Sequence, residues 1–263
     1  MSAVKLTMKR VDVPLISVIV PTLNEEKYIG LLLESIRQQG SMDVEVLVVD
    51  GGSQDRTLDI AKKYNAKIFV FTGLGEFASR NIGAKKAKGK YLLFTCSDII
   101  FPRGLFKRVL DTLQGDPMII ALSGPGYPYD APLFGKIEYA AYNIVRFILA
   151  KLPKPIKRFS TSTNFLVVRK DFFEKTGGFV ENDINADGLM GRTLLNMGKV
   201  VFSLKTYFYL SARRMKMMGL LNFNKHYLYI LENFLFCLSK FGLLKNIKIH
   251  SKGKHRKLHE TFF

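Results

Sequence analysis

A chain of 263 residues with 48% hydrophobic and 24% charged residues can bury a sizeable core and has the composition of a globular protein. Forty Lys and Arg against 22 Asp and Glu leave a net charge of +18, which points to an anionic partner: nucleic acid, a phosphorylated small molecule or an acidic membrane surface. Cys96 and Cys237, far apart, exclude a disulfide framework and a zinc spacing, and they fit inert thiols of a reducing compartment.

The first half alternates strand and helix signals. LISVIV (15–20) is an apolar, β-rich run, and Ile29, Leu32, Leu33 and Ile36 follow at helical spacing. VEVLVV (44–49) predicts a second strand. TLDIAKKY (57–64) predicts a short helix capped by Ser53 or Asp55. KIFVF (67–71) is a third strand, EFASRNIGAKKA (76–87) a helix and KYLLFT (90–95) a fourth strand. This rhythm implies βαβ units and a mostly parallel sheet. The turn-rich SGPGYPYDAP (123–132) marks a boundary. An amphipathic helix over 134–151 comes next, broken by LPKPIKR (152–158). NFLVVR (164–169) reads as a strand, KTGGF (175–179) as a turn, 187–197 as a helix and KVVFSL (199–204) as a strand. From 215 onward the chain reads as helical and basic. No run of 18 uncharged apolar residues is present, and MSAVKLTMKR lacks an apolar leader core, so neither a simple membrane span nor a signal peptide is expected.

In a parallel sheet, ligands sit at the carboxyl ends of the strands. Four stretches then share one edge: PTLNEE, DGGSQD, GLGE and CSD. Asp50-Gly51-Gly52-Ser53 fits a tight capped turn, or a carboxylate that meets a base N–H where glycines admit a ligand. Arg80 fits a surface arginine or a phosphate partner. Asp98 fits a turn former or a ligand for a hard cation, which needs only one or two carboxylates when a diphosphate supplies the rest.

Together, SVIVPTLNEEKYIGLLLESI, VEVLVVDGGSQDRTLDIAKKY and ASRNIGAKKAKGKYLLFTCSDIIFP resemble the nucleotide-sugar half of the inverting family 2 glycosyltransferases, of GT-A fold. The resemblance is dense over 15–105 and resumes over 164–202. It implies an α/β, Rossmann-like GT-A domain over 12–210, with a nucleotide-sugar half (12–122) and an acceptor half (123–210); residues 211–263, which match less specifically, read from their charge and pattern as a basic helical tail. It implies that Pro21, Leu23 and Glu25 line the nucleotide pocket, that Asp50 reads the base and that Arg80 lies near the phosphates. The Asp-x-Asp of the family is Cys96-Ser97-Asp98 here. Asp98 is then the residue for Mn2+ or Mg2+, and Cys96 and Ser97 border the ribose. The acidic pair that carries the base is reduced to Asp187, with Asp183 as the fallback. Arg213 and Arg214 are placed to meet the leaving diphosphate or an acidic acceptor.

The implied activity is hexosyl transfer with inversion from a UDP- or GDP-sugar to a hydroxyl of a saccharide or lipid-linked acceptor. A polyprenyl phosphate is already an anion and needs little base help, so an Asp at 187 favours a hydroxyl. The alternatives are a polyprenyl-phosphate glycosyltransferase and a nucleotide-sugar-binding protein degenerate at Cys96. No nucleic-acid module is visible. Residues 205–260 carry twelve Lys and Arg against two acids. NKHYLYILENFLFCLSKFGLL (224–244) is amphipathic, with basic residues beyond it, and 134–158 repeats the theme. Such helices either pack on the core or in a dimer interface, or anchor the protein to an anionic membrane. The second option places a cytoplasmic protein at the inner face of the cell membrane.

Overall fold

The computed structural model describes residues 14–40, 43–153, 162–183 and 186–219. The amphipathic segment 224–244, the basic cluster after it and most of the 152–158 break lie outside these residues.

Four strands open the chain: β1 (Ile16–Thr22), β2 (Val44–Asp50), β3 (Lys67–Val70) and β4 (Tyr91–Thr95). Helices α1 (Ile29–Arg37), α2 (Thr57–Lys63) and α3 (Glu76–Lys86) connect them. After β4 come β5 (Ile99–Ile100), α4 (Leu105–Gly115), β6 (Ile119–Ser123), β7 (Gly126–Pro128) and α5 (Leu133–Leu149). The chain continues with β8 (Phe165–Arg169), α6 (Lys170–Lys175), α7 (Ala186–Met197), β9 (Lys199–Phe202) and β10 (Phe208–Leu210). A further helix starts at Arg213.

Seven strands form one sheet in the order β3-β2-β1-β4-β8-β6-β9. Only β8 runs against its neighbours. Val18, Ile19, Val20, Leu47, Val48 and Val49 are all fully buried, because helices cover both faces of a parallel sheet. The predicted stripe of α1 faces inward: Ile29, Leu32, Leu33 and Ile36 are buried.

Some elements differ from the expectations. The expected elements leave 105–122 unassigned, yet α4 buries Leu105, Phe106, Val109, Leu110 and Leu113 at helical spacing, and β6 pairs with β8 and β9. The turn-rich stretch 123–132 is not all turn. It carries β7, which pairs with β10 in a second sheet of order β5-β10-β7. Pro128 is tolerated because β7 is an edge strand. Gly124 is required by packing, since a Cβ there would lie 2.0 Å from the Thr206 carbonyl oxygen. This small sheet joins the β4 side of the molecule to the start of the helix at Arg213. In α2, Asp55 fills the capping role: its carboxylate accepts the Thr57 N–H at 2.9 Å. Ser53 turns instead to Asp50.

Candidate active site

The loops after β1 and β2 are built from each other. Asn24 sits in the left-handed region (φ 54), a conformation that Asn tolerates. Its side chain accepts the Gln54 N–H at 2.9 Å, and its own N–H donates to the Ser53 hydroxyl at 2.8 Å. Asp50 is fully buried beneath them. One carboxylate oxygen accepts the N–H groups of Gly52 and Ser53, and the other accepts the hydroxyls of Thr22 and Ser53. Beside this turn, Pro21 is half-buried, and Leu23 stands 55% exposed, an apolar surface available to a flat ligand.

The tip of β4 is held from below and from the side. Arg80, on α3, is fully buried. It donates to the Thr95 carbonyl at 2.9 Å, to Glu76 at 2.5 Å and to the Cys96 sulfur at 3.4 Å. Burial pushes the Cys96 thiol up to about 12, so it stays protonated and can donate to Asn164 Oδ1, 3.4 Å away. Ser97 is buried beside it. Arg213 grips Glu25 through two parallel hydrogen bonds of 2.7 and 2.9 Å, and its Nε meets Asp98 Oδ2 at 2.8 Å. The guanidinium also lies 4.9 Å from the Tyr28 ring centre. One side chain thus ties the β1 loop, the β4 tip and the helix that starts at Arg213 together. Burial raises the Asp98 carboxyl, against the pull of Arg213 and Arg214.

These groups border a cavity of about 230 Å³. Cys96, Asp98, Asp187, Arg213 and Arg214 all line it, although 118 positions separate the first from the last. Asp187 stands in the first turn of α7, where its Oδ1 accepts the Gly188 N–H at 2.7 Å. Burial moves its carboxyl above the usual range. The Gly188 N–H opposes that shift, and the nearby Glu76 charge adds to it. Asp183 does not line the cavity; its backbone carbonyl accepts the Ala186 N–H. Pro21, Leu23, Glu25 and Asp50 lie along the donor loops outside the cavity wall, and Glu25 is joined to it through Arg213.

Several wall residues carry no sequence signal of their own. Glu76 comes from α3, Tyr139, Asn143 and Arg146 from α5, and Asn164 from the entry to β8. Asn143 donates to the Gly126 carbonyl at 2.7 Å, and Arg146 stacks 4.7 Å from the Phe202 ring centre. Their signal is a mismatch of period. The stripe of α5 that is buried reads Gly135, Tyr139, Asn143, Arg146, which is polar where a core helix is apolar.

Among the described residues, no three His, Cys, Asp or Glu gather as metal ligands. Asp98 supplies one hard oxygen donor, and the protonated Cys96 thiol supplies none. A divalent cation that travels with a diphosphate keeps waters and asks for one or two carboxylates. The donor set therefore fits a cation brought by the phosphates, not one stored in a protein cage.

A mostly parallel sheet with one reversed strand, polar loops at its carboxyl edge and a carboxylate at the β4 tip defines a GT-A-type nucleotide-sugar fold. The model of glycosyl transferase family 2 matches residues 17–177. That is more than half of the chain, which belongs to this family. An uncharacterized glycosyltransferase of Haemophilus influenzae is 35% identical over 175 residues, covering 62% of this chain and 56% of that protein. Glycosyltransferase AglE of Haloferax volcanii is 31% identical over 175 residues, covering 63% and 56%. The chain thus spans little more than half the length of either relative. A mannosyltransferase from Pyrobaculum calidifontis, solved with GDP-Man and Mn2+, superposes over 94% of this chain and 69% of its own, with a TM-score of 0.65 at 21% identity. Staphylococcus aureus TarS 1–349 with UDP-GlcNAc covers 94% and 80%, with a TM-score of 0.59 at 21% identity. At such identities the likeness is one of fold.

Proposed function

We propose that this protein moves a hexosyl group from a UDP- or GDP-sugar to a hydroxyl of a lipid-linked or cell-surface saccharide, with inversion, at the inner face of the cell membrane. The observation that carries this reading is convergence: Asp98, Asp187, Arg213 and Arg214, far apart in the chain, line one cavity.

The base of the donor stacks by Pro21 and Leu23. Asp50 meets its N–H, and the Ser53 hydroxyl is the donor that gives way. Glu25 fixes Arg213, and Arg80 positions the β4 tip from below through Thr95 and Cys96. Asp98, together with the diphosphate oxygens, would hold Mn2+ or Mg2+, which neutralises phosphate charge when bound. Arg213 and Arg214 face the developing negative charge of the leaving group. Asp187 takes the acceptor proton as the acceptor oxygen bonds to the anomeric carbon. The bond from that carbon to the phosphate oxygen breaks, and the nucleoside diphosphate leaves with the electron pair. The elevated Asp187 carboxyl suits a base.

The test is Asp187→Asn, assayed for transfer from a panel of nucleotide sugars and for nucleotide binding by thermal shift. Loss of transfer with binding retained supports the reading; full transfer removes Asp187 as base. Transfer to a polyprenyl phosphate that survives Asp187→Asn would assign that acceptor instead. One observation favours a binding-only protein: Cys96 stands in the Asp-x-Asp pattern, and Arg213 already neutralises Asp98. Wild-type protein that binds nucleotide sugars but neither transfers nor hydrolyses them decides for that second reading.

A further inference from the structure

We infer that the outer face of α5 docks on an anionic lipid bilayer and sets the mouth of the cavity beside the membrane surface. The choice of lipid-linked acceptor rests on the proposed function; the docking surface stands on α5 itself.

The helix is inverted. Its buried stripe is Gly135, Tyr139, Asn143 and Arg146, whereas its exposed face holds Leu133, Phe134, Ile137, Ile144, Val145 and Ile148, each 51–75% exposed. Eight of the seventeen large apolar side chains exposed among the described residues fall within 133–152. Scattered apolar residues on a surface mean little, but a contiguous strip marks an interface. The helix that starts at Arg213 packs on the buried stripe of α5. There Met215 packs on α5 so closely that a Cβ at Gly135 would lie 2.8 Å from its sulfur, and Met217 points out, 56% exposed.

Charge selects the occupant. Lys136 and Lys151 of the strip's own segment are exposed, Lys216 is spent on Asp130 at 2.8 Å, and the sequence after α5 adds Lys154, Lys157 and Arg158. An apolar face rimmed by lysines fits the boundary between acyl chains and anionic headgroups. A second copy of this chain, itself at +18, would bring repulsion to the same face. No helix among the described residues is long and apolar enough to cross a membrane, so the contact is one that lies on the surface. The geometry also links this surface to the site, since Tyr142 is exposed on α5 and lines the cavity. A saccharide on a lipid anchor could enter past Tyr142 while its anchor stays in the bilayer.

The test is flotation of the full chain with vesicles of phosphatidylcholine, with and without phosphatidylglycerol. Wild-type protein is expected to float with the anionic vesicles and to be released by salt. The triple variant Ile137→Glu, Ile144→Glu, Ile148→Glu should bind at least tenfold more weakly, with its melting temperature and nucleotide-induced thermal shift retained. A tail variant, Lys252, Lys254, Arg256 and Lys257→Gln, should keep most of the binding. The inference is overturned if wild-type protein ignores anionic vesicles, if the triple variant floats like wild type, or if only the tail variant loses binding. It is also overturned if light scattering finds a wild-type dimer without lipid that the triple variant converts to monomer. None of these readouts needs transfer, so an inactive protein that docks through α5 would refute the proposed activity and leave this surface standing.

Discussion

Glu45, at the amino end of the parallel strands, and the cavity carboxylates Asp98 and Asp187, beyond the carboxyl end, are held under opposite conditions, while Asp50 of β2 has four donors as Glu45 does. At the amino end, Glu45 of β2 accepts from the Ser17 hydroxyl, the Lys67 ammonium and the Lys88 and Gly89 N–H groups. Burial alone would raise its carboxyl, but these donors win and hold it below the usual range. Beyond the carboxyl end, Asp98 and Asp187 are raised, because burial there outweighs the surrounding donors. A carboxylate saturated with donors fastens the fold. One whose burial outruns its donors gains more from an incoming cation or proton, which is the condition a working group needs.

The largest expected effect breaks the carboxyl end. Asp187→Asn should lower transfer by about 10²–10⁴-fold, the range for loss of a general base, and leave nucleotide affinity within about twofold. The base acts only when deprotonated. With its carboxyl raised, the acid limb of the wild-type rate profile should therefore fall above the ordinary Asp value of about 4. A limb at or below that value would put Asp187 under the same conditions as Glu45. Next, Arg213→Ala strands Glu25 and Asp98, whose side chains are only 13% and 12% exposed. Nucleoside diphosphate affinity should drop by about 10–100-fold, with a lower melting temperature, since removing one partner of a largely buried pair exposes the other to its full desolvation cost. Wild-type affinity in this variant would mean that the arginine only braces the loops.

At the amino end the readout is stability. Glu45→Ala leaves the Lys88 N–H and the Ser17 hydroxyl proton without their acceptor, while the Gly89 N–H keeps the Ser17 oxygen at 2.8 Å, at a cost of about 1–3 kcal/mol. The folded carboxyl is depressed, so its stabilisation is complete above the unfolded value of about 4.5 and is lost as pH falls through the lower folded value. The gap in melting temperature between wild type and Glu45→Ala should be wide at pH 7 and shrink below about pH 4. A gap that does not change with pH would assign Glu45 a packing role alone.

The strands β1 to β4 and their polar ends were legible in the sequence because each apolar run and each turn is local. α4 is legible too, since Leu105, Val109 and Leu113 repeat at helical spacing. Asp98, Asp187 and Arg213 could be named singly, but their meeting could not, since it depends on the small β5-β10-β7 sheet. Its strands are two or three residues long, below any periodic signal. α5 was visible as an amphipathic helix. Which face turns inward was not, because the usual rule buries the apolar one. Its Asn143 and Arg146 face inward because partners wait there, the Gly126 carbonyl for the first and the Phe202 ring for the second.

The smallest expected effect tests how the β4 tip compares with Glu45. Cys96→Asp would place a carboxylate beside Arg80, whose Nη2 already donates to the sulfur at 3.4 Å. Glu76, 4.0 Å from the sulfur, opposes the new charge. Arg80 offers the added carboxylate a single close donor group, far fewer than surround Glu45, so the site should stay short of donors and become a better partner for a hard cation. The predicted result is a gain of several-fold in nucleotide-sugar affinity with Mn2+ present, read by calorimetry, and none in its absence. Equal gains in both conditions would mean that the new charge only reorders Arg80. No gain in either would mean that the thiol costs this site nothing, as a protein that only binds nucleotide sugars would allow.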